Sequence, residues 1–286
     1  MNDFKKIGIV GLGLIGGSIG KTIKKKSSKI TVYGISRRQA TLIKAKEENI
    51  IDEYFLNFDE IVENSELLVL CTPIDKIEYY FRKIKQTGKN IYLTDVASVK
   101  KRIVEKGEKI LGPLFPYVGS HPMAGSEETG LFASSDNLFE GKNVIITPTK
   151  SSDKNVVKKI ENFWQFLGAN TFFLTPSEHD KFVSLTSHLP HFLVFQFLKI
   201  ISQEKEKKKI EKCIGPGFLD STRIGKSNVE MWTEIFLNNK ENILRGISKL
   251  QKEIEKTKKY LKANNKEKIL KEFEKGNKWR NSIEKK

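Results

Sequence analysis

A glycine-rich segment near the N-terminus constrains the fold of this chain more than any other feature. An apolar run that ends at Val10 leads directly into Gly11-Leu12-Gly13-Leu14-Ile15-Gly16, and a helix-like segment follows as far as Lys26. This is the G-x-G-x-x-G pattern in the position between a strand and a helix that it requires. Its glycines allow a tight turn, a close approach of a pyrophosphate to the backbone, and close packing of the helix on the strand.

The helix that follows these glycines offers free N–H groups and the positive end of its dipole to phosphates. The segment therefore predicts a dinucleotide site, and a glycine-rich turn without a ligand is the simpler alternative. The residues that this prediction places against the dinucleotide are Gly11, Gly13, Leu14, Ile15 and Gly16.

Strand-like and helix-like segments alternate after this motif. The predicted strands are 30–35, 67–71, 90–95, 117–119, 144–146 and 171–174. The predicted helices between them are 37–49, 75–85, 99–109 and 153–167. Such alternation indicates a mostly parallel sheet with helices on both faces.

Only helices are predicted after Thr175, where Pro176 suits a first helical turn. Segment 182–201 is apolar almost all round, and a helix without a polar face is expected to be buried, here against a second subunit. We therefore expect an α/β fold with two domains. Residues 1–174 form a Rossmann-type dinucleotide-binding domain, and residues 175–286 form an all-helical substrate-binding and dimerisation domain.

The composition limits the class of protein. Lys and Arg number 51 against 35 Asp and Glu, which gives a net charge of +16. A nucleic-acid partner is one explanation, but the lysines are spread along the chain beside acids, which favours a lysine-rich surface. No apolar run reaches about 18 residues, so no membrane span is expected. Cys71 and Cys213 supply neither a disulfide framework nor a metal-site spacing. We expect a cytoplasmic protein without a metal.

The end of the second predicted strand indicates which dinucleotide is bound. NAD-binding units carry an acid there, about 20 residues after the glycines, that holds the ribose 2′-hydroxyl. This chain has Ser36-Arg37-Arg38 at that point and no acid. Guanidinium groups pair bidentately with phosphate oxygens, so Ser36, Arg37 and Arg38 favour the 2′-phosphate of NADP over NAD. The alternative is that both arginines are solvated residues at a helix start.

Four histidines are the candidates for acid–base chemistry. His121 follows a predicted strand, which places it at the carboxyl edge of the sheet, where open α/β folds bind ligands. His188 and His191 share similar faces of the apolar helix; a metal site there lacks a third ligand, and satisfied core histidines are the other alternative. His179, beside Asp180 near a helix start, is interpreted as structural or as a support for another site residue.

Eight short motifs follow one another along nearly the whole chain. They are GLGLIGGS from Gly11, YGISRR from Tyr33, CTPI from Cys71, TDVASVK from Thr94, HPMAGS from His121, NLF from Asn137, SHLPH from Ser187 and DSTRI from Asp220. In order and spacing they resemble the prephenate/arogenate dehydrogenase family of tyrosine biosynthesis. The motifs at His121 and Ser187 are much more specific than the glycines alone. The resemblance implies a homodimer formed through the helical domain, and it places Thr72 and Pro73 at the cofactor.

The resemblance also implies an oxidative decarboxylation, in which NAD(P) takes a hydride from the ring carbon that bears the hydroxyl, and the ring carboxylate leaves as carbon dioxide. His121 is the family's match for the residue that accepts the hydroxyl proton, which a neutral imidazole can do near pH 7. Ser98 matches a residue that holds the same hydroxyl or orients this histidine. Arg223 matches a residue that binds a substrate carboxylate, and His191, with His188, matches contacts to the substrate.

Simpler roles remain open for two of these residues. Ser98 could cap a helix that begins at Val99, which is a common use of serine, and Arg223 could belong to a surface ion pair. Arogenate carries an ammonium where prephenate has a keto group, so an acid near the side-chain pocket would favour arogenate. Glu127 and Glu128 are the candidates for that acid.

Two further classes of protein are weighed against the dehydrogenase. A hydroxyacid dehydrogenase of the 6-phosphogluconate type would carry a catalytic lysine motif in the helical domain, and none is evident. A dinucleotide sensor is the non-enzyme alternative. It would need the glycine segment but not His121, Ser98 and Arg223 together.

Overall fold

The structure, a computed structural model, describes residues 3–125, 128 and 130–284. The backbone divides after Asn239 into two compact units, residues 1–239 and residues 240–286. Compactness thus groups the helices between residues 176 and 239 with the sheets. The division predicted near residue 174 rests instead on the change from strands to helices.

A five-stranded parallel sheet forms the first part of the larger unit. Its strands are β1 (Lys6–Val10), β2 (Thr31–Ile35), β3 (Glu53–Tyr54), β4 (Leu67–Leu70) and β5 (Tyr92–Asp95). They lie in the order β3-β2-β1-β4-β5, so the direction of winding reverses at β1. Open α/β sheets bind ligands beside the carboxyl ends of the strands at such a reversal, and here the glycine segment occupies that place. The predicted Rossmann-type sheet is confirmed.

Helices connect these strands and cover both faces of the sheet. They are α1 (Leu14–Lys26), α2 (Gln39–Glu47), α3 (Phe58–Asn64), α4 (Ile74–Thr87) and α5 (Lys101–Leu111). Alternate residues of β4 enter two different cores: Leu67 and Val69 join one, and Leu68 and Leu70 join the other. Because side chains alternate across a strand, a strand buried on both faces is apolar throughout. This explains the continuous apolar run read from the sequence.

A second, three-stranded sheet contains β6 (Gly119–Pro122), β7 (Asn143–Thr147) and β8 (Asn170–Phe173), with α6 (Lys154–Phe166) between the last two. The prediction that His121 follows a strand is wrong, since it lies inside β6 opposite Ile145. β6 also runs antiparallel to β7, so the rule for the carboxyl ends of parallel strands does not position this histidine.

The remaining helices of the larger unit are α7 (Pro176–Val183), α8 (Leu189–Ser202), α9 (Lys207–Glu211), α10 (Pro216–Thr222) and α11 (Val229–Asn238). As its sequence indicated, α7 begins at Pro176 and is capped by Thr175, which forms a capping box with Glu178. A π-helical turn, Ser184–His188, joins α7 to α8. Such turns occur often at functional sites.

The burial of segment 182–201 against a second subunit stays a prediction, because the structure describes a single chain. No residue of α8 is buried, and Phe197 and Ile200 are 48% and 61% exposed. The hydrophobic core of the single chain therefore does not account for the apolar character of α8.

The smaller unit contains α12 (Lys240–Lys262) and α13 (Lys266–Ile283). The turn between them passes through Asn264, whose φ is 48°, and an ion pair of 2.9 Å joins Lys256 to Glu272. Among the described residues, no helix combines the length and the apolar character needed to cross a membrane.

Candidate active site

The glycine segment forms the turn between β1 and α1 that its pattern predicts. Gly11 has a φ of +99°, a conformation that residues with a side chain rarely adopt. A Cβ on Gly16 would lie 2.0 Å from the carbonyl oxygen of Gly11, so only glycine lets the helix approach the strand this closely. A Cβ on Gly13 would meet nothing within 4 Å. The space in front of Gly13 is therefore open to a ligand.

The start of α1 has the properties of an anion site. Gly13 is its N-cap and makes no side-chain cap bond, and the first turn, with Leu14 and Ile15, contains no acid. The first N–H groups of a helix have no partner within it, and the dipole favours negative charge there. These groups fit the pyrophosphate of a dinucleotide.

The ends of two neighbouring strands lie beside the glycine turn. The Gly11 N–H donates to the carbonyl of Ile35 at 2.8 Å, which brings the end of β2 to the turn. On the other side, a Cβ at Gly11 would lie 2.6 Å from the carbonyl oxygen of Cys71. The hydroxyl of Thr72 is buried there without a hydrogen-bond partner, an exception that calls for an explanation. Pro73 follows as the N-cap of α4.

The end of β2 carries cations and no acid. Ser36 is half-buried, and Arg37 and Arg38 are exposed. In the part of the chain that the structure describes, neither guanidinium makes an ion pair with a carboxylate. Arg38 is the N-cap of α2, so the helix starts two residues later than predicted. A positive charge here is unfavourable to the helix dipole.

A relay of two imidazoles and a carboxylate lies in the interior of the same unit. His121 Nδ1 is 2.8 Å from His179 Nε2, and His179 Nδ1 is 2.8 Å from Asp180 Oδ1. Because a carboxylate only accepts, the proton of His179 is on Nδ1. Its Nε2 therefore accepts from Nδ1–H of His121. This order leaves the lone pair of His121 on Nε2, where a base needs it.

Burial keeps the two imidazoles of this relay neutral. It lowers the pKa of His121 well below its usual value, and the neighbouring His179 and Lys100 lower it further. Burial also lowers the pKa of His179, although its bond to Asp180 opposes the change. A neutral His121 is ready to accept a proton near pH 7.

Asp180 also holds the start of α5. Its carboxylate accepts the N–H groups of Lys100 at 2.7 Å and of Lys101 at 3.1 Å. The alternative that Ser98 caps a helix beginning at Val99 is therefore wrong. The helix begins at Lys101, its N-cap makes no side-chain bond of its own, and the cap comes from α7 instead.

Lys100 is fully buried and paired. Its amine meets the carboxylate of Asp95, which also accepts the Tyr117 hydroxyl at 2.7 Å. Burial lowers the pKa of Lys100, and Asp95 opposes that change. A buried charge of this kind requires a partner. The pair fixes the end of β5 to the start of α5.

His188 is buried and bonded through its ring. Nδ1 lies 3.1 Å from Nδ2 of Asn239, and the ring also bonds the backbone of Ser98. Burial lowers the pKa of His188 to about 4. The residue thus joins Ser98, at the end of β5, to the end of α11.

His191 stacks on Trp232, with ring centroids 3.5 Å apart and planes at 20°. Its Nδ1 bonds the carbonyl of Ser187 at 2.9 Å. Burial lowers the pKa of His191, and the positive charge of Arg223 lowers it as well. Arg223 is exposed at the end of α10, near enough to His191 for its charge to act on that imidazole.

The predicted site residues thus form two groups. The glycine segment lies with the ends of β2 and β4; the second group contains His121, Ser98, His188, His191 and Arg223. Over the described ranges, no hydrogen bond, ion pair or ring contact links the two groups. Glu127 lies outside the described residues, and Glu128 is exposed. No group of three or more metal-ligating side chains occurs among the residues that the structure describes.

Sequence reasoning missed the contributions of Lys100, Trp232 and Asn239. Lys100 stands beside Lys101 in a lysine-rich chain and has no local signal of burial. The adjacency of His179 and Asp180 in the sequence indicates that the two side chains can interact. It does not indicate that His179 bonds His121.

The chain is similar to known proteins along almost its whole length. The family model of the prephenate dehydrogenase nucleotide-binding domain matches residues 19–173, and that of the prephenate dehydrogenase dimerization domain matches residues 175–275. Prephenate dehydrogenase of Bacillus subtilis is 30% identical over 99% of this chain and 77% of its own length.

Two solved structures share the fold over nearly the whole chain. Prephenate dehydrogenase from A. aeolicus, in complex with hydroxyphenyl propionate and NAD+, superposes with a TM-score of 0.91 at 32% identity, covering 98% of each chain. Synechocystis arogenate dehydrogenase gives a TM-score of 0.83 at 27% identity, covering 97% of this chain and 99% of its own. From its family-model matches and these full-length similarities, the chain belongs to the prephenate dehydrogenase family.

Proposed function

We propose that this protein oxidises prephenate to 4-hydroxyphenylpyruvate with loss of carbon dioxide. The observation that carries the proposal is the relay of His121, His179 and Asp180, which leaves a neutral base with a free Nε2 in a chain of this family. When bound, NAD(P)+ supplies the acceptor for the hydride that leaves the hydroxyl-bearing ring carbon.

His121, supported by His179 and Asp180, accepts the proton of the reaction. His121 takes the proton of the ring hydroxyl at Nε2 as the carbon–oxygen bond gains double-bond character. The bond from the ring to the carboxylate breaks, and its electron pair enters the ring, which becomes aromatic as a phenolate; the oxygen then regains the proton from Nε2 of His121, and carbon dioxide leaves. The positive charge that forms on His121 is stabilised through His179 by the carboxylate of Asp180, as in other oriented base pairs.

Three exposed or half-buried side chains, those of Arg223, His191 and Ser98, bind the substrate. Arg223 pairs with a carboxylate of prephenate, since its planar group matches two oxygens. His191, held flat against Trp232, contacts the substrate side chain. Ser98 holds the ring hydroxyl. His188 acts by fixing the backbone of Ser98, because its Nδ1 is engaged by Asn239 and its ring interacts with that backbone.

NADP is the proposed cofactor in preference to NAD. The support is the absence of an acid at the end of β2 and the presence of Ser36, Arg37 and Arg38 there, with both guanidiniums exposed. Gly13 and the start of α1 bind the pyrophosphate. The buried hydroxyl of Thr72 donates to the bound dinucleotide beside Pro73.

The protein is proposed to act as a homodimer. The support is the apolar helix α8, which has no buried residue in the single chain, together with the match to a dimerization domain. Light scattering at micromolar concentration tests this, and a monomer would remove the idea.

Arogenate is the second candidate substrate, since an arogenate dehydrogenase has the same fold over the whole chain. The deciding experiment follows reduced cofactor by absorbance with prephenate or arogenate and with NAD or NADP. Turnover of prephenate with NADP is the expected result. Turnover of arogenate alone would keep the mechanism and change the substrate, and no turnover in any combination would refute the proposal.

A further inference from the structure

One buried amide joins the two hydrogen-bond chains of the candidate site. Asn239 follows the last residue of α11 and is 4% exposed. Its Nδ2 donates to the carbonyl of Asp180 at 2.8 Å and lies 3.1 Å from Nδ1 of His188. An amide nitrogen has two protons to give, so both contacts are made at once.

Each of these partners leads to a different catalytic group. Asp180 leads through His179 to His121. His188 leads to the backbone of Ser98. Since the amide only donates through nitrogen, it also fixes the imidazole of His188 with an unprotonated Nδ1.

We propose that Asn239 is a positioning residue of this active site, holding the base and the hydroxyl-binding serine in one arrangement. The inference rests on the proposed function, because the groups that it positions are those of the dehydrogenation. No contact of Asn239 with substrate is implied. Its amide acts through residues 59 and 51 positions away along the chain.

The position of Asn239 in the chain adds to its effect. The same helix supplies Trp232, which stacks on His191, two turns before the amide. Trp232 and Asn239 are seven residues apart, so they lie on similar faces of α11. One face of one helix thus contacts both histidines of the SHLPH motif.

The first test observes the wild-type protein without any substrate. The chain has only four histidines, so nitrogen-15 labelled imidazoles can be assigned one by one from His→Gln variants. The expected spectrum has His188 with its proton on Nε2 and a bare Nδ1. A proton on Nδ1 of neutral His188 would overturn the inference.

The second test replaces the donor by an acceptor of the same shape. Asn239→Asp cannot donate to either partner, so His188 should change its protonation pattern, and kcat should fall by about tenfold or more, because small misplacements of reacting groups are costly. The KM for the dinucleotide should stay within about twofold. Asn238→Asp is the matched control, since Asn238 only donates to Glu234 of its own helix.

Unchanged kcat and an unchanged His188 spectrum in a folded Asn239→Asp protein would refute the positioning role. If the variant does not fold, the wild-type spectrum still decides. If the wild-type protein turns over neither prephenate nor arogenate, the proposed function fails, whereas the His188 spectra of wild type and variant continue to test Asn239.

Discussion

His121 Nδ1 lies 2.8 Å from His179 Nε2, so the ring of the proposed base is oriented by a second ring rather than directly by a carboxylate. The carboxylate of Asp180 bonds the far side of His179. His179 is a neutral imidazole between His121 and the carboxylate of Asp180. Both imidazoles therefore stay uncharged until His121 accepts a proton. This relationship carries the first prediction.

Loss of the base should cost more than loss of its support. We expect His121→Asn to lower kcat by about 10²- to 10⁴-fold, the usual contribution of a general base. His179→Asn, which removes only the orienting bond, should lower kcat less. His191→Asn is the comparison variant, and it should mainly raise the KM for the substrate. Steady-state rates with prephenate measure all three, and equal kcat for His121→Asn and wild type would contradict the assignment.

Acid should destabilise the protein through its buried histidines. The pKa of His188 is about 4 in the folded state against an unfolded value of about 6.5, so the unfolded chain binds more protons between these values. The free energy of unfolding therefore falls as the pH drops from about 6.5 towards 4. His188 alone should account for about 2 kcal/mol of that loss between pH 7 and pH 5.

Urea denaturation at pH 7 and pH 5 measures this loss. His188→Gln should show a smaller difference between the two pH values, whatever its absolute stability. An unfolding free energy for the wild-type protein that does not change between these pH values would contradict the prediction.

Features that depend on residues close together in the chain could be predicted from the sequence. The glycine turn, the buried strand β4 and the start of α7 at Pro176 each depend on residues close together in the chain, and all three occur in the structure. The short β3 and the helix α3 left no clear pattern, because a strand of two residues shows no alternation.

The rest depends on contacts between distant residues. Asp180 caps a helix that begins 79 positions before it, and no local spacing indicates that partner. Lys100 is buried because Asp95 and the end of β5 enclose it, although its neighbours in sequence suggest a solvated lysine. The position of His121 inside an antiparallel strand was missed because its motif contains a proline and few β-formers. Tertiary packing thus determines the positions of Asp180, Lys100 and His121.

Cofactor choice should depend on the arginines after β2. Arg37→Ala is expected to raise the KM for NADP by about tenfold, the loss of a charge-assisted pair with the 2′-phosphate, with little effect on NAD. Lys44→Ala is the matched control, because Lys44 is a half-buried cation of α2 that already has its own partner, Glu48. Initial rates at varied cofactor concentration supply the four KM values. Equal changes for both cofactors would show that Arg37 does not read the 2′-phosphate.

Substitutions at Gly13 and Gly16 should have different effects, one on dinucleotide binding and the other on stability. Gly13 has open space where a Cβ would be, and its φ of −94° suits alanine. Gly13→Ala should therefore keep the thermal stability of the protein while weakening the dinucleotide, because the new methyl group occupies the space in front of the helix N-terminus. A Cβ at Gly16 would lie 2.0 Å from a backbone oxygen, so Gly16→Ala should lower stability by about 1–3 kcal/mol, as for other overpacked sites. Thermal unfolding and fluorescence titration with NADPH distinguish these effects. Unaltered NADPH affinity in a stable Gly13→Ala protein would mean that the dinucleotide does not approach this face of the turn.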